Sequence, residues 1–387
     1  MLVWTATLTA MVMMCVGGFA ATAYLRVLGN ITENVVARPG STEKTVEIPD
    51  WDGPVNLLIM GSDTRDGQVT GDYGQDEHGA RSDVLMLLHV SANHEDATLV
   101  SFPRDTMMPI PSCTDAAGNV SRAQRVGQIN SALGYGPHCS LDAIREFTGL
   151  DIDHFVVVDF DAAITVTEAI GGVDVCLAED VDDKYSGLNL PAGMHNVQGA
   201  EALAFLRTRH GFGDGSDMGR IAAQQSFLSA LARKVKSAGT LSNPVALFSL
   251  ADAASKSISV DQALGSLGSM VGLLGTLAGV DLERMVLIQL PVQDYPADRN
   301  RVEPIKSETD QIFAALRADV PLVLAGSEPP ATDPATTDPA APETQAPAVP
   351  ETPAAPETGA ASPPPTVPVP LPTTLRGQTA NQETCAK

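Results

Sequence analysis

Arginine and aspartate recur at the ends of short apolar runs in this chain, and that placement is where its chemistry is most readable. The run Val55 to Met60 leads straight into Gly61-Ser62-Asp63-Thr64-Arg65. Arg81-Ser82-Asp83 opens the run Val84 to Leu88, and Thr98 to Phe102 ends in Pro103-Arg104-Asp105. Later, Arg207, Arg209 and Arg220 flank a Gly/Asp loop, and Gln224 lies four residues beyond Arg220, on the same helix face. An arginine fork donates paired hydrogen bonds and stays charged at any physiological pH, which suits phosphate oxygens. Several arginines brought together repel one another unless an anion lies among them. Two carboxylates beside them suit Mg²⁺, with Mn²⁺ as the alternative, because such an ion takes few protein oxygens and completes its shell with phosphate oxygens. Jointly these residues describe a pyrophosphate site in which charge is stabilised during phosphoryl transfer. Taken singly, each has a plainer reading: a solvated arginine, a charge at a helix C-terminus for Arg207 and Arg209, a turn aspartate for Asp63.

Those residues need strands and helices to bring them together. Apolar runs bounded by turn residues read as buried strands. If the runs at 84–88 and 98–102 pair antiparallel, Arg81 and Asp83 meet Arg104 and Asp105 on one sheet edge. Further strands are expected at 155–160, 173–177 and 285–290. Helices are expected at 140–147, capped by Ser140 and stopped by Gly149, and at 162–170, 198–207, 244–255, 261–277 and 307–316. Another carries Arg220 and Gln224. Strands alternating with helices make an α/β body, spanning 53–325.

Composition separates the rest. Leu2 to Leu25 carries no charged side chain and Arg26 ends it, so residues 1–26 read as a transmembrane anchor. A signal peptide cut after Ala21-Thr22-Ala23 is the rival reading. The polar stretch 27–52, with Pro39-Gly40 and Pro49, reads as a stalk. Residues 326–387 hold 15 of the 28 prolines, too little apolar surface to offset ordering, and read as a disordered spacer. A formal net charge of −23 argues against nucleic acid as a partner, since binding it depends on phosphate neutralisation. Of five cysteines, Cys113 and Cys139 flank a polar loop that a disulfide would close outside the cytoplasm. Cys176 is then the odd thiol, expected to be buried on a strand.

The segments Asn56 to Asp63, Arg81-Ser82-Asp83, Ser101 to Thr106, Ile129-Asn130, Ile170 to Val175, Gly193 to Arg209 and Asp217-Met218-Gly219-Arg220 with Gln224-Gln225 stand in a familiar order. In that order the chain resembles the LytR-CpsA-Psr family of bacterial cell-envelope enzymes, over nearly all of the body and neither terminus. The resemblance implies a central mixed β-sheet flanked by helices in a single catalytic domain. It implies a single-pass protein of the cytoplasmic membrane with that domain outside the cytoplasm. The implied activity is a phosphotransferase that moves a glycopolymer from a polyprenyl-pyrophosphate carrier onto peptidoglycan. By motif, Asp63 and Asp83 would hold Mg²⁺, and Arg81, Arg104, Arg207, Arg209 and Arg220 would grip the pyrophosphate. Gln224 would sit beside them, and Arg65 would be a further contact. The nucleophile would be a sugar hydroxyl, and the lipid would lie in an apolar tunnel between sheet and helices. Alternatives are a polyprenyl-pyrophosphate hydrolase, or a non-catalytic binder of lipid or glycan in the wall.

Overall fold

Most of the strands expected from the apolar runs lie in one eight-stranded mixed sheet in the computed structural model of the chain, while Val173–Leu177 pairs outside it with Gly193–Val197. The structure describes residues 25–39, 53–62, 81–213, 217–237, 244–324, 368–371 and 377–387, with positions 18, 22, 215 and 375. In chain order the sheet strands are β1 (Val35–Val36), β2 (Val55–Ser62), β3 (Ser82–Val90), β4 (Ala97–Phe102), β5 (His154–Val158), β6 (Ile258–Asp261), β7 (Met285–Gln289) and β8 (Gly377–Thr379). Their spatial order is β1-β6-β5-β2-β3-β4-β7-β8. β2, β3 and β4 pair antiparallel, Gly61 opposite Val84 and Leu85 opposite Phe102. β5 runs parallel to β2, with Gly61 opposite Val158. The ends of β2, β4 and β5 and the start of β3 therefore share one edge. The expected meeting of Arg81 and Asp83 with Arg104 and Asp105 follows from that register.

Alternation along each strand sends side chains to two buried faces. Leu58, Met60, Leu85 and Leu87 pack on one side with α1 (Pro137–Thr148) and α7 (Lys306–Arg317). Leu57, Met86, Leu88 and Leu99 pack on the other. A sheet covered on both faces is why its strands read as unbroken apolar runs. A second core joins the hairpin of Val173–Leu177 and Gly193–Val197 to α3 (Ala200–Arg207) and α4 (Asp217–Ser237). Further helices among the described residues are α2 (Phe160–Ala169), α5 (Pro244–Ser257) and α6 (Leu267–Gly279).

Several expectations change. α1 starts at Pro137, not at a Ser140 cap; proline is tolerated in a first turn, where its missing N–H would have had no partner. Gly149 does stop the helix, in the left-handed conformation at φ 64°. The polar loop between Cys113 and Cys139 contains part of a hairpin, Met107–Ile110 with Gln124–Gln128. Its outer strand, Gln-Arg-Val-Gly-Gln, has no apolar alternation to mark it. Cys113 and Cys139 are bonded, as expected. Cys176 is not an odd thiol: it is bonded to Cys385.

That second bond belongs to a larger departure. The end of the proline-rich region packs on the body. β8 pairs with the edge of β7, and Cys385–Ala386 pairs with Cys176 and Leu177. Arg233 on α4 donates to the carbonyls of Ala380 and Gln382, both at 2.8 Å. The composition average concealed a final stretch, Gly377 to Lys387, that contains no proline. Among the described residues no helix is long and apolar enough to cross a membrane; the expected anchor lies almost wholly outside the described residues.

Candidate active site

Where β2, β3, β4 and β5 share an edge, a cavity of about 580 Å³ opens under α2, α3 and α4. Arg81, Asp83, Arg104, Arg207, Arg209, Arg220 and Gln224 all line it. Seven of the nine expected site residues thus come together from four separate stretches of chain. Asp63 and Arg65 lie outside the described residues.

Local structure explains how the arginines arrive. Arg207 ends α3 and Arg209 follows in the next loop, while Arg220 sits in the first turn of α4. That turn is held to the sheet by Gln225 Nε2 donating to Ser101 Oγ at 3.1 Å and Gln289 Nε2 donating to the Met218 carbonyl at 3.1 Å. A Cβ on Gly219 would stand 2.7 Å from the Phe212 carbonyl oxygen. Only glycine lets α4 begin so close to the preceding loop.

Asp83 is the hub. Its Oδ1 accepts from Arg104 Nη1 at 2.8 Å, and Arg209 Nη2 lies 3.2 and 3.3 Å from its two oxygens. Arg220 Nη2 donates to its backbone carbonyl at 3.0 Å. Burial pushes the Asp83 carboxyl up, but Arg220, Arg104 and Arg209 together outweigh burial and hold it below the usual carboxylate range. Arg220 is nearly enclosed at 3% exposure. Its burial, with Arg209 and Arg104 nearby, lowers its pKa despite the attraction of Asp217 and Asp83. Asp217 pairs with Arg220 and accepts the backbone N–H of Arg104 at 3.0 Å. Buried Arg220 Nε has no hydrogen-bond partner among the described residues. A buried guanidinium nitrogen left donating to nothing is costly, and an incoming oxyanion would relieve it.

Arg207 lies with its guanidinium 4.7 Å from the Phe160 ring centroid, a cation–π contact. Gln224 donates to the Leu206 carbonyl at 3.1 Å, so in this state it secures the end of α3. Beyond the arginines the wall turns apolar, with Ile59, Met86, Val158, Phe160, Leu203 and Leu206 between sheet and helices. At the opposite rim, buried Asp183 accepts the backbone N–H groups of Tyr185 at 2.9 Å, Arg209 at 3.2 Å and His210 at 3.4 Å. Burial raises its carboxyl, and those N–H donors overcome that and depress it. Asp105 accepts from Arg104 Nε at 3.4 Å and from Gln128 Nε2.

Sequence reasoning missed the roles of Asp183 and Asp217. Asp217 opens the stretch Asp217-Met218-Gly219-Arg220, a usable signal. Asp183 had none, because its partners are main-chain groups two and some twenty-six residues away.

Of the expected metal ligands, Asp83 offers one carboxylate to the cavity. No group of three or more His, Cys, Asp or Glu among the described residues could hold an ion. An ion such as Mg²⁺ needs only one or two carboxylates when phosphate and water complete its shell; Asp83 is one such carboxylate, and its oxygens here accept from Arg104 and Arg209.

Residues 26–318 match the model of the LytR_cpsA_psr family. The cell wall biosynthesis protein LcpA of Corynebacterium glutamicum is 34% identical over 236 residues, 54% of this chain and 45% of that protein. A relative in Oceanobacillus iheyensis, named polyisoprenyl-teichoic acid–peptidoglycan teichoic acid transferase TagU, is 27% identical over 66% of this chain and 67% of its own. The chain spans about half the length of most of the curated relatives it matches. The crystal structure of B. subtilis TagV has the same fold, with a TM-score of 0.53 at 23% identity, covering 70% of this chain and 98% of that one.

Proposed function

The chain belongs to the LytR_cpsA_psr family, and from that premise we propose that it is a phosphotransferase moving a glycopolymer from a polyprenyl-pyrophosphate carrier onto peptidoglycan. One observation carries the reading: guanidinium groups from four stretches of chain meet at one end of a cavity whose other wall is apolar. A pyrophosphate joined to an isoprenoid has that same division. The transferase name of the O. iheyensis relative supports the polymer-to-wall direction.

In this reading Arg104, Arg209 and Arg220 bind the pyrophosphate oxygens, and Arg207 and Arg81 close the same anion site. The isoprenoid lies along Ile59, Met86, Phe160 and Leu206. An acceptor sugar hydroxyl attacks the phosphorus next to the glycan and gives up its proton to solvent. A new P–O bond to the acceptor forms as the P–O bond to the lipid phosphate breaks, and polyprenyl phosphate leaves. The arginines take up the charge that moves onto the departing phosphate. Asp83, with Asp63, would hold Mg²⁺ or Mn²⁺; when bound, that ion would neutralise further phosphate charge. No protein nucleophile is required. The catalytic body is proposed to work outside the cytoplasm at the membrane, a setting in which two disulfides persist.

The test is to incubate the purified protein with a lipid-linked glycan, peptidoglycan and Mg²⁺, with and without chelator. A covalent polymer–wall product, lost on chelation, is the expected result. Release of free glycan phosphate into water would make it a hydrolase, and binding without turnover would leave a non-enzymatic wall protein.

A further inference from the structure

We propose that Tyr185 and His210 form a stacking platform for a pyranose ring at the polar rim of the cavity, an inference that rests on the transferase reading. Among the described residues, three aromatic side chains line the cavity: Phe160, Tyr185 and His210. One face of Phe160 is covered by Arg207, and the ring belongs to the apolar wall. Tyr185 is 84% exposed, and its ring centroid lies 4.7 Å from that of His210 with the planes tilted by 36°.

This pair is held in place. Tyr185 sits in the turn between the short strands Val181–Asp183 and Leu188–Leu190. The buried carboxylate of Asp183 ties the turn to Arg209 and His210 through backbone N–H groups. A second tie joins Ser186 Oγ to Thr208 Oγ1 at 2.7 Å. The turn and the arginine-bearing loop thus form one unit, and little ordering would be needed on binding. An exposed ring carried on a tied turn beside Arg209 contributes nothing to a core.

A pyranose suits that surface. Its axial C–H faces can cover an aromatic ring, burying apolar area on both, while its equatorial hydroxyls stay wet or reach polar groups. Gln128, Asn130 and Ser186 line the same cavity and supply donors and acceptors. The arginines recognise phosphate and the apolar wall recognises lipid. Neither reads the sugar. The ring could belong to the donor glycan or to the peptidoglycan acceptor.

Direct binding to three probes decides: geranyl phosphate, a geranyl-pyrophosphate-linked disaccharide and a soluble peptidoglycan disaccharide fragment. Tyr185→Ala should weaken at least one sugar-bearing probe by roughly five- to tenfold and leave geranyl phosphate unchanged, while Tyr185→Phe restores the loss. A loss confined to the lipid-linked disaccharide assigns the platform to the donor; a loss confined to the fragment assigns it to the acceptor. Equal affinity of wild type and Tyr185→Ala for both sugar probes overturns the platform, as does failure of both to bind wild type. If neither geranyl probe binds wild type but the fragment binds in a Tyr185-dependent way, the transferase reading falls and the platform stands.

Discussion

Strand β5 has a charge cluster at each end, and the two are built on opposite terms. At its start, Asp261 accepts the backbone N–H groups of Phe155 at 2.9 Å, Ala263 at 2.8 Å and Leu264 at 3.1 Å, and pairs with His154 Nδ1 at 3.1 Å. Burial raises that carboxyl, but His154 and the backbone donors outweigh it and leave it depressed. One acid has collected enough partners to cover its oxygens. At the other end, Val158 borders a cavity where Asp83 is shared among three arginines and Arg220 Nε donates to nothing described. The carboxylate of the first cluster is covered by donors of its own neighbourhood, while at the second three arginines face one acid. A covered acid holds a fold together. Arginines in excess of their acid are shaped for an anion that arrives.

The sharpest break in this comparison would come from the arginines. Arg209→Ala or Arg104→Ala is expected to lower the transfer rate by about a hundredfold or more, with an unfolding midpoint close to wild type, read by product formation and thermal melting. Near-normal rates in both variants would place the cluster outside the mechanism. Next in size, Asp261→Ala should cost about 3 kcal/mol of stability in a denaturant titration, while activity per folded molecule is retained. Loss of activity without loss of stability would erase the distinction between the two ends.

The link from Cys176 to Cys385 should contribute about 2–4 kcal/mol, seen as a lower melting midpoint for Cys385→Ser. Alkylation of the unfolded, unreduced protein should leave Cys113, Cys139, Cys176 and Cys385 unmodified. The smallest effect is in pH. Asp261 is depressed in the folded state, so its contribution is fully present above the ordinary carboxylate pKa of about 4. It is lost as pH falls through the lower folded value. Stability measured down an acid series should decline less steeply in Asp261→Asn than in wild type, and parallel curves would refute the assignment.

How much of this was legible beforehand depended on distance along the chain. The strands at 55–62, 82–90 and 97–102 were plain because burial on both faces leaves an unbroken apolar run. Hairpins with one wet face, such as Gln124–Gln128, left no such trace. Arg81, Asp83, Arg104, Arg209 and Arg220 stood out because each interrupts or ends an apolar element in a way that packing alone does not call for. The apolar wall could not be named, since Ile59, Leu203 and Leu206 look like any core residues until the arginines beside them are located. Asp183 looked like one more acid in an acidic chain.

From its order of residues alone, the chain determined an alternating α/β body, which element ends bear charge, and the bond between Cys113 and Cys139, only 26 residues apart. Local periodicity and short loops decide such things. Tertiary structure alone decided that Asp83 also meets Arg209 and Arg220, 126 and 137 residues further on, and that Cys385 returns across 209 residues to Cys176. Each of those contacts joins segments whose separation in sequence carries no information about their separation in space. They form only once the sheet has fixed where every strand ends.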